Sequence, residues 1–254
     1  IAVAGSHGKT STSTLLTTLL DLCTKDTSSI VGGILPGYNS NTIIKKSKYL
    51  IAEIDESDGT TCKYKPYLGI INNIDYDHCD YYSNIEELIS SFNEFGSNSK
   101  ILLTNDDCKI TKKNITSDYT WSIKNTNNVD FALISKEFNP EYTIADYYEK
   151  EKAITRLKIP IPGIHNLSNI TAAISACRII NIDINCILKN IQFLQLPSKR
   201  FDLRGEILGR QIIDDYGHHP NEIKATIDLA RLFIQKKDND INRLVIIFQP
   251  HRYS

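Results

Sequence analysis

Residues 1–12, IAVAGSHGKTST, decide how the chain is read. Ile1 to Ala4 form a short apolar run of strand character, and Gly5 to Gly8 form a turn. Lys9 and Thr10 then open an amphipathic helix whose apolar face carries Leu15, Leu16, Leu19 and Leu20. Strand, glycine turn, Lys-Thr and helix together cradle nucleotide phosphates. The loop N–H groups and the positive helix end face the anion, the lysine neutralises the terminal phosphates, and the threonine hydroxyl ligates Mg²⁺. The spacing is shortened, since Val3 stands where the usual pattern has its first glycine, leaving Gly5-x-x-Gly8-Lys9-Thr10. The competing reading is an ordinary strand-to-helix turn with an exposed lysine. The strand before the turn and the helix after it count against that.

Outward from this loop, strands and helices alternate. KYLIAEID (48–55) and LGIINNID (68–75) have the length of buried strands, NIEELISSFNEF (84–95) has helical spacing, and KILLTN (100–105) is a further strand. This predicts a P-loop-type, mostly parallel sheet covered by helices. Residues 111–160 change character, with alternating stretches such as YTWSI, VDFALIS and ITRLKIPIP that predict appended antiparallel strands. A helix follows Pro162–Gly163 with Ile170, Ala173, Ile174 and Cys177 on one face, and a shorter one lies near 184–193. LPSKRF (196–201) divides a first domain, 1–196, from a second unit, 197–254. There EILGRQIIDDY reads as a strand, PNEIKATIDLARLFIQKK as a helix and RLVIIFQ as a strand, the start of a Rossmann-like α/β domain. The chain lacks methionine and starts inside a strand, so it reads as a piece of a longer protein.

With 29 basic and 30 acidic residues the charge is balanced, which gives nucleic acid no basic stripe to bind. No stretch of 18 uncharged apolar residues and no signal peptide is present, so no membrane partner is expected. The six cysteines contain no CxxC pair and read as reduced, packing thiols of a cytoplasmic protein.

Chemistry-bearing side chains gather at strand ends. AEIDESD places Glu53, Asp55, Glu56 and Asp58 where one strand meets a loop, and NIDYDHCD places Asp75, Asp77, His78 and Asp80 after the next. Carboxyl ends of parallel strands line a ligand crevice, so both clusters converge on the phosphate loop, where carboxylates and an imidazole suit Mg²⁺. Each cluster taken singly reads as a solvated loop. In the second unit, DDYGHHP (214–220) and PHR (250–252) bring His218, His219, His251 and Arg252 to two strand ends, a composition suited to an anionic substrate. A structural zinc site and plain loop polarity are the alternatives there.

The segments GSHGKTSTST, EIDESD, NIDYDHCDYY, GIHNLSNITAA, RFDLRGE, DDYGHHPNEIKATI and FQPHRYS, in this order, resemble the Mur ligases of peptidoglycan synthesis, in their alanine-adding branch. The resemblance spans essentially the whole chain. It implies a central ATP-binding domain followed by the opening of a C-terminal domain, with a sugar-nucleotide domain expected before residue 1. It implies a bacterial, cytoplasmic, ATP-dependent ligase joining L-alanine to the lactyl carboxylate of UDP-N-acetylmuramate through an acyl phosphate. This stretch alone is expected not to turn over. By the same resemblance Gly5, Ser6, His7, Gly8, Lys9, Thr10 and Ser11 hold ATP phosphates, and Thr10, Glu53 and His78 hold Mg²⁺. Asn166 reads adenine, and Arg200 and Asp215 bind the nucleotide from the domain junction. His218, His219, His251 and Arg252 form the alanine and intermediate pocket, with Lys9, Glu53, His78 and His218 in catalytic roles.

Two features separate branches of the family. Many Mur ligases carry a modified lysine about 16 residues after the Asp of the Asp-His pair, a position filled here by Asn93. That agrees with alanine addition. Ligases that recycle murein peptides typically read EADEYD and EPRS where this chain has EIDESD and FQPHRYS. Folylpolyglutamate synthase relatives lack DDYGHHP. A nucleotide-binding module without ligase turnover is the non-enzymatic alternative, and the set Lys9, Thr10, Glu53 and His78 argues against it.

Overall fold

A computed structural model describes residues 1–75, 81–235 and 243–250. In chain order the first elements are β1 (Ala2–Ala4), α1 (Lys9–Thr24), β2 (Thr27–Leu35), β3 (Ser40–Ile43), β4 (Tyr49–Glu53) and β5 (Leu68–Ile71). Next come α2 (Ile85–Asn98), β6 (Ile101–Asn105), α3 (Lys109–Asn114), β7 (Tyr119–Ser122), β8 (Phe131–Phe138), β9 (Thr143–Glu149) and β10 (Lys152–Ile159). The chain continues through α4 (Ile164–Ile179), α5 (Ile184–Asn190), β11 (Asp202–Ile207), β12 (Arg210–Asp214) and α6 (Pro220–Gln235).

β1 to β10 form one sheet in the order β10-β9-β8-β7-β6-β5-β1-β4-β2-β3. From β2 across to β8 every pairing is parallel, and β3, β9 and β10 are attached antiparallel at the two edges. The expected class, a mostly parallel sheet with helices and appended antiparallel strands, is therefore the observed one. β1 shows why both faces must be covered. Val3 packs with Leu15, Leu16 and Leu19 of α1 and with Ile170 of α4. Ala2 and Ala4 point the opposite way, against Leu88, Phe92 and Phe95 of α2. That is the two-residue period of a strand buried on both sides.

Helix ends follow local chemistry. Asn84 caps α2 by accepting from Glu87 N at 2.9 Å, with acidic Glu86 and Glu87 in the first turn. Inside α1 the buried hydroxyls of Ser13 and Thr17 donate to the carbonyls of Lys9 and Ser13, at 2.8 and 2.7 Å. A run rich in Ser and Thr is thereby buried without orphaned donors at these positions.

Four expectations change. β7 pairs parallel with both neighbours rather than antiparallel, because the short helix α3 supplies the crossover from β6 that a parallel neighbour needs. The strand expected over 206–216 is part of a hairpin, β11–β12. Leu208 and Gly209, at φ 51° and 73°, make its two-residue turn. RLVIIFQ forms no strand: residues 243–250 pair with no other strand among the described residues and expose Ile247 almost completely. An apolar run without a neighbouring ladder leaves its backbone groups unpaired. Finally, Cys23 of α1 and Cys186 of α5 are joined in a disulfide, with Cα atoms 5.8 Å apart, against the expectation of six reduced thiols. Tertiary packing of two helices 163 residues apart in sequence sets this pair, so no spacing rule finds it.

Candidate active site

The loop after β1 is built from its glycines. Gly5 and Gly8 have φ of 127° and 79°, values that L side chains rarely adopt. A Cβ on Gly5 would lie 2.9 Å from Asn73 O, and one on Gly8 would lie 2.5 Å from Asn169 Oδ1. The loop is therefore pressed against the end of β5 and against α4. Ser6 N donates to Asn73 O (3.1 Å), and Ser6 Oγ exchanges bonds with the backbone of Asp75. His7 N donates to Asn73 Oδ1 (2.8 Å), while Asn72 and Asn73 both donate to His7 O. The first intrahelical bond of α1 runs from Thr12 N to Gly8 O, which leaves the N-terminal end of the helix facing the crevice with no acidic residue in its first turn. That is the electrostatic form of an anion site.

Lys9 Nζ is held at the loop by Gly5 O at 2.8 Å and by Glu56 Oε2 at 2.7 Å. Glu56 is fully buried, and Asp55 lies 4.0 Å from the same ammonium. Thr10 Oγ1 donates to Glu53 Oε1 at 2.8 Å, and Gly32 N donates to Glu53 Oε2 at 2.6 Å. Gly32 and Gly33 of β2 make this possible. A Cβ on Gly32 would sit 2.9 Å from both Glu53 oxygens, and one on Gly33 would sit 2.9 Å from Thr10 Cγ2. A hydroxyl and a carboxylate side by side, in a cradle that a methyl group would fill, fit a hard cation that takes few protein ligands.

Two cavities meet at the loop. One, of about 500 Å³, is lined by Ser11, Asn105, Lys124, Asn166, Arg200 and Asp215. Its volume suits a small-molecule ligand. The other, of about 1040 Å³, is lined by Ser6, Lys9, Thr10, Glu53, His218 and His219. His7, Gly8, Arg200 and Glu222 line both. Asn166 is buried and donates to Pro162 O (2.8 Å). Asp215 accepts from Phe201 N and Gly217 N, both at 2.8 Å, which folds the approach to α6. The Arg200 guanidinium lies over the Tyr216 ring. Burial pushes His165, beside Asn166, below the ordinary histidine range.

Every expected site residue within the described residues lies at this crevice. His78, His251 and Arg252 fall outside the described residues. Several contributors went unread. Glu56 stood in the acidic cluster but was not singled out as the partner of Lys9. Gly32–Gly33 carried a signal, since paired glycines inside a strand mark a close approach. Asn72 and Asn73 gave none beyond their place at a strand end. Glu222 is a further one. Its burial opposes ionisation, but His7 and Arg200 outweigh that and hold its carboxyl at about 2.

The Mur ligase middle domain family matches residues 3–177, with this loop and the strand ends that face it. The chain belongs to the Mur ligase family. This Mur ligase chain is 58% identical over its whole length to the UDP-N-acetylmuramate–L-alanine ligase of Prochlorococcus marinus subsp. pastoris, covering 54% of that protein. It is 46% identical to the ligase of the same name from Prochlorococcus marinus strain MIT 9313, covering 53% of it. The chain thus spans about half the length of the curated relatives it matches. In fold it is similar to the UDP-N-acetylmuramate-alanine ligase of Thermotoga maritima, with a TM-score of 0.83 and 24% identity over 93% of this chain and 54% of that one. It is also similar to a murein peptide ligase of Psychrobacter arcticus, with a TM-score of 0.69 and 19% identity over 93% of this chain and 55% of that one. Among the described residues of this Mur ligase, no helix is long and apolar enough to cross a membrane.

Proposed function

We propose that this chain is the ATP-binding part of a ligase that joins L-alanine to the lactyl carboxylate of UDP-N-acetylmuramate. Residues 1–196 act as the nucleotide-binding domain and 197–254 as the opening of the next. The observation that carries the ATP chemistry is the Thr10–Glu53 pair, at 2.8 Å, beside Lys9 at the open end of α1. The substrate pair rests on the relatives' names at 58% and 46% identity. Asn93, exposed on α2 where other branches carry a modified lysine, agrees with it.

The carboxylate is first phosphorylated by ATP, and the amine of alanine then displaces phosphate. In that sequence the N–H groups at the start of α1 hold the β- and γ-phosphates. Lys9 exchanges Glu56 for the transferring phosphoryl group, and its charge is worth most where negative charge develops. Thr10 and Glu53, with His78 expected from sequence, would hold Mg²⁺, which would supply charge neutralisation to the reaction. The 500 Å³ cavity takes the adenosine, with Asn166, Arg200 and Asp215 at its wall. His218 and His219, with His251 and Arg252 expected from sequence, receive the amino acid and the reacting carboxylate.

The test is phosphate release by the complete protein with ATP, Mg²⁺ and UDP-N-acetylmuramate, with and without amino acid. Release stimulated by L-alanine is expected. Release stimulated by a murein tripeptide and not by alanine would show a recycling ligase, and ATP binding without release would show a module that has lost its chemistry.

A further inference from the structure

The ligase reading uses the backbone of His7 and leaves its side chain, and that of Asp75, without a task. Both lie in a polar cluster with His219 and Glu222. Ligand atoms of His7, Asp75 and His219 all fall within 4.8 Å of one another. His7 Nε2 is 3.4 Å from Asp75 Oδ2, and its other ring nitrogen, Nδ1, is 3.3 Å from Glu222 Oε1. The His7 and His219 rings lie against each other with centroids 4.4 Å apart.

From this arrangement we propose a site for a borderline divalent ion of the zinc class, held by His7 Nε2, an Asp75 carboxylate oxygen and an imidazole nitrogen of His219. Glu222, facing Nδ1, takes that nitrogen's proton as a hydrogen bond and so leaves the lone pair on Nε2. A carboxylate that orients a ligating imidazole is the usual support of such a ligand. Nε2 is buried and has no hydrogen-bond partner among the described residues. In that tautomer it presents a lone pair to a carboxylate oxygen, an arrangement that a cation between them relieves. For the His7–Asp75 pair the separation is also right. Metal–ligand distances of about 2.0–2.1 Å in tetrahedral geometry place ligand atoms about 3.3 Å apart, against the 3.4 Å observed.

The two other ligands are prepared in the same way. Asn221 Nδ2 donates to Asp75 Oδ2 and fixes that carboxylate. Asn221 N donates to His219 Nδ1 at 3.3 Å, so the lone pair of that ring lies on Nδ1, where the ion would take the place of this long bond. Three protein ligands leave one position for water. Two imidazoles with one carboxylate favour zinc or cobalt over Mg²⁺, which prefers oxygen. His7 comes from the phosphate loop, Asp75 from the end of β5 and His219 from the N-terminal side of α6. The ion would therefore staple the second unit onto the phosphate loop. The inference needs no part of the ligase reading, because it concerns binding to side chains of this chain alone.

The experiment is a titration of the chelator-treated chain with CoCl₂, followed by visible absorption, with ZnCl₂ as competitor. Expected are one ion per chain, the d–d bands of a tetrahedral complex, no thiolate-to-cobalt charge transfer, and displacement by Zn²⁺ but not by excess Mg²⁺. His219→Gln and Asp75→Asn should each weaken binding by about 100-fold or more. Glu222→Gln, which removes the charge of the orienting carboxylate, should weaken it by about 10-fold. His219 is only partly buried, so its variant is expected to keep the thermal melt of the parent without metal. Three results would each overturn the proposal: no stoichiometric binding, which would make His7 a proton-filled bridge between two carboxylates; a charge-transfer band from thiolate ligands; or affinity unchanged in both the His219 and Asp75 variants.

Discussion

Gly32→Ala tests the metal assignment without touching a proposed ligand. The new Cβ would stand 2.9 Å from each Glu53 oxygen and 3.1 Å from Cδ, where ordinary contact begins at 3.4 Å. The carboxylate must retreat by about half an ångström. It is tied by two short bonds, from Gly32 N at 2.6 Å and Thr10 Oγ1 at 2.8 Å, so the retreat loosens both. A hydrogen bond to a charged group is worth about 1.5–3 kcal/mol, and 1.4 kcal/mol is about tenfold in affinity. Partial relaxation puts the expected loss of affinity for a Mg²⁺–ATP analogue near tenfold. Removing a strand glycine returns about 0.5–1 kcal/mol to the fold, so the melting temperature should stay within a few degrees of the parent. Titration calorimetry with a non-hydrolysable ATP analogue, run with Mg²⁺ and again in chelator, is the assay. The chelated measurement should differ from the parent by no more than about twofold. Equal losses in both buffers, or none in either with the fold intact, would refute Glu53 as a metal ligand.

Lys9→Ala should abolish phosphate release by the complete protein, and it should also destabilise the chain by about 3 kcal/mol by taking the cation from buried Glu56. Adding Glu56→Gln should restore the melting temperature and not the activity, and recovery of activity would show that Lys9 is structural. Leu16→Ala, at a fully buried position of α1, should cost about 2–5 kcal/mol, or roughly 5–15 °C in thermal melting; a smaller shift would mean that α1 is not packed into the core around Val3 as described. Burial lowers the pKa of His165 below its ordinary 6.5, so below that pH the unfolded chain binds more protons than the native one. Stability should therefore fall as the pH drops from about 7 through the folded pKa, and His165→Gln should flatten that slope in denaturant titrations. An unchanged slope would refute the neutral ring.

The loop GSHGKT, the buried strands at 48–55 and 68–75 and the α1 face were legible in sequence. Glycine at positive φ, apolar period and Lys-Thr placement are local properties, and each depends on a few neighbouring residues. The same locality explains why Glu53 and Thr10 could be placed at one crevice, since strand ends in a parallel sheet share an edge. The hairpin at 202–214 lay nearer the limit: Leu208–Gly209 carried the turn, but a single apolar run looked the same as one strand. Tertiary structure alone decided that β7 runs parallel, that Cys23 meets Cys186, that Glu56 holds Lys9 and that Glu222 reaches back to His7. Each of these joins residues distant in the chain. Which pair meets depends on the order of strands in the sheet and on how helices settle against it, and the one-dimensional pattern of apolar and polar residues does not contain that order.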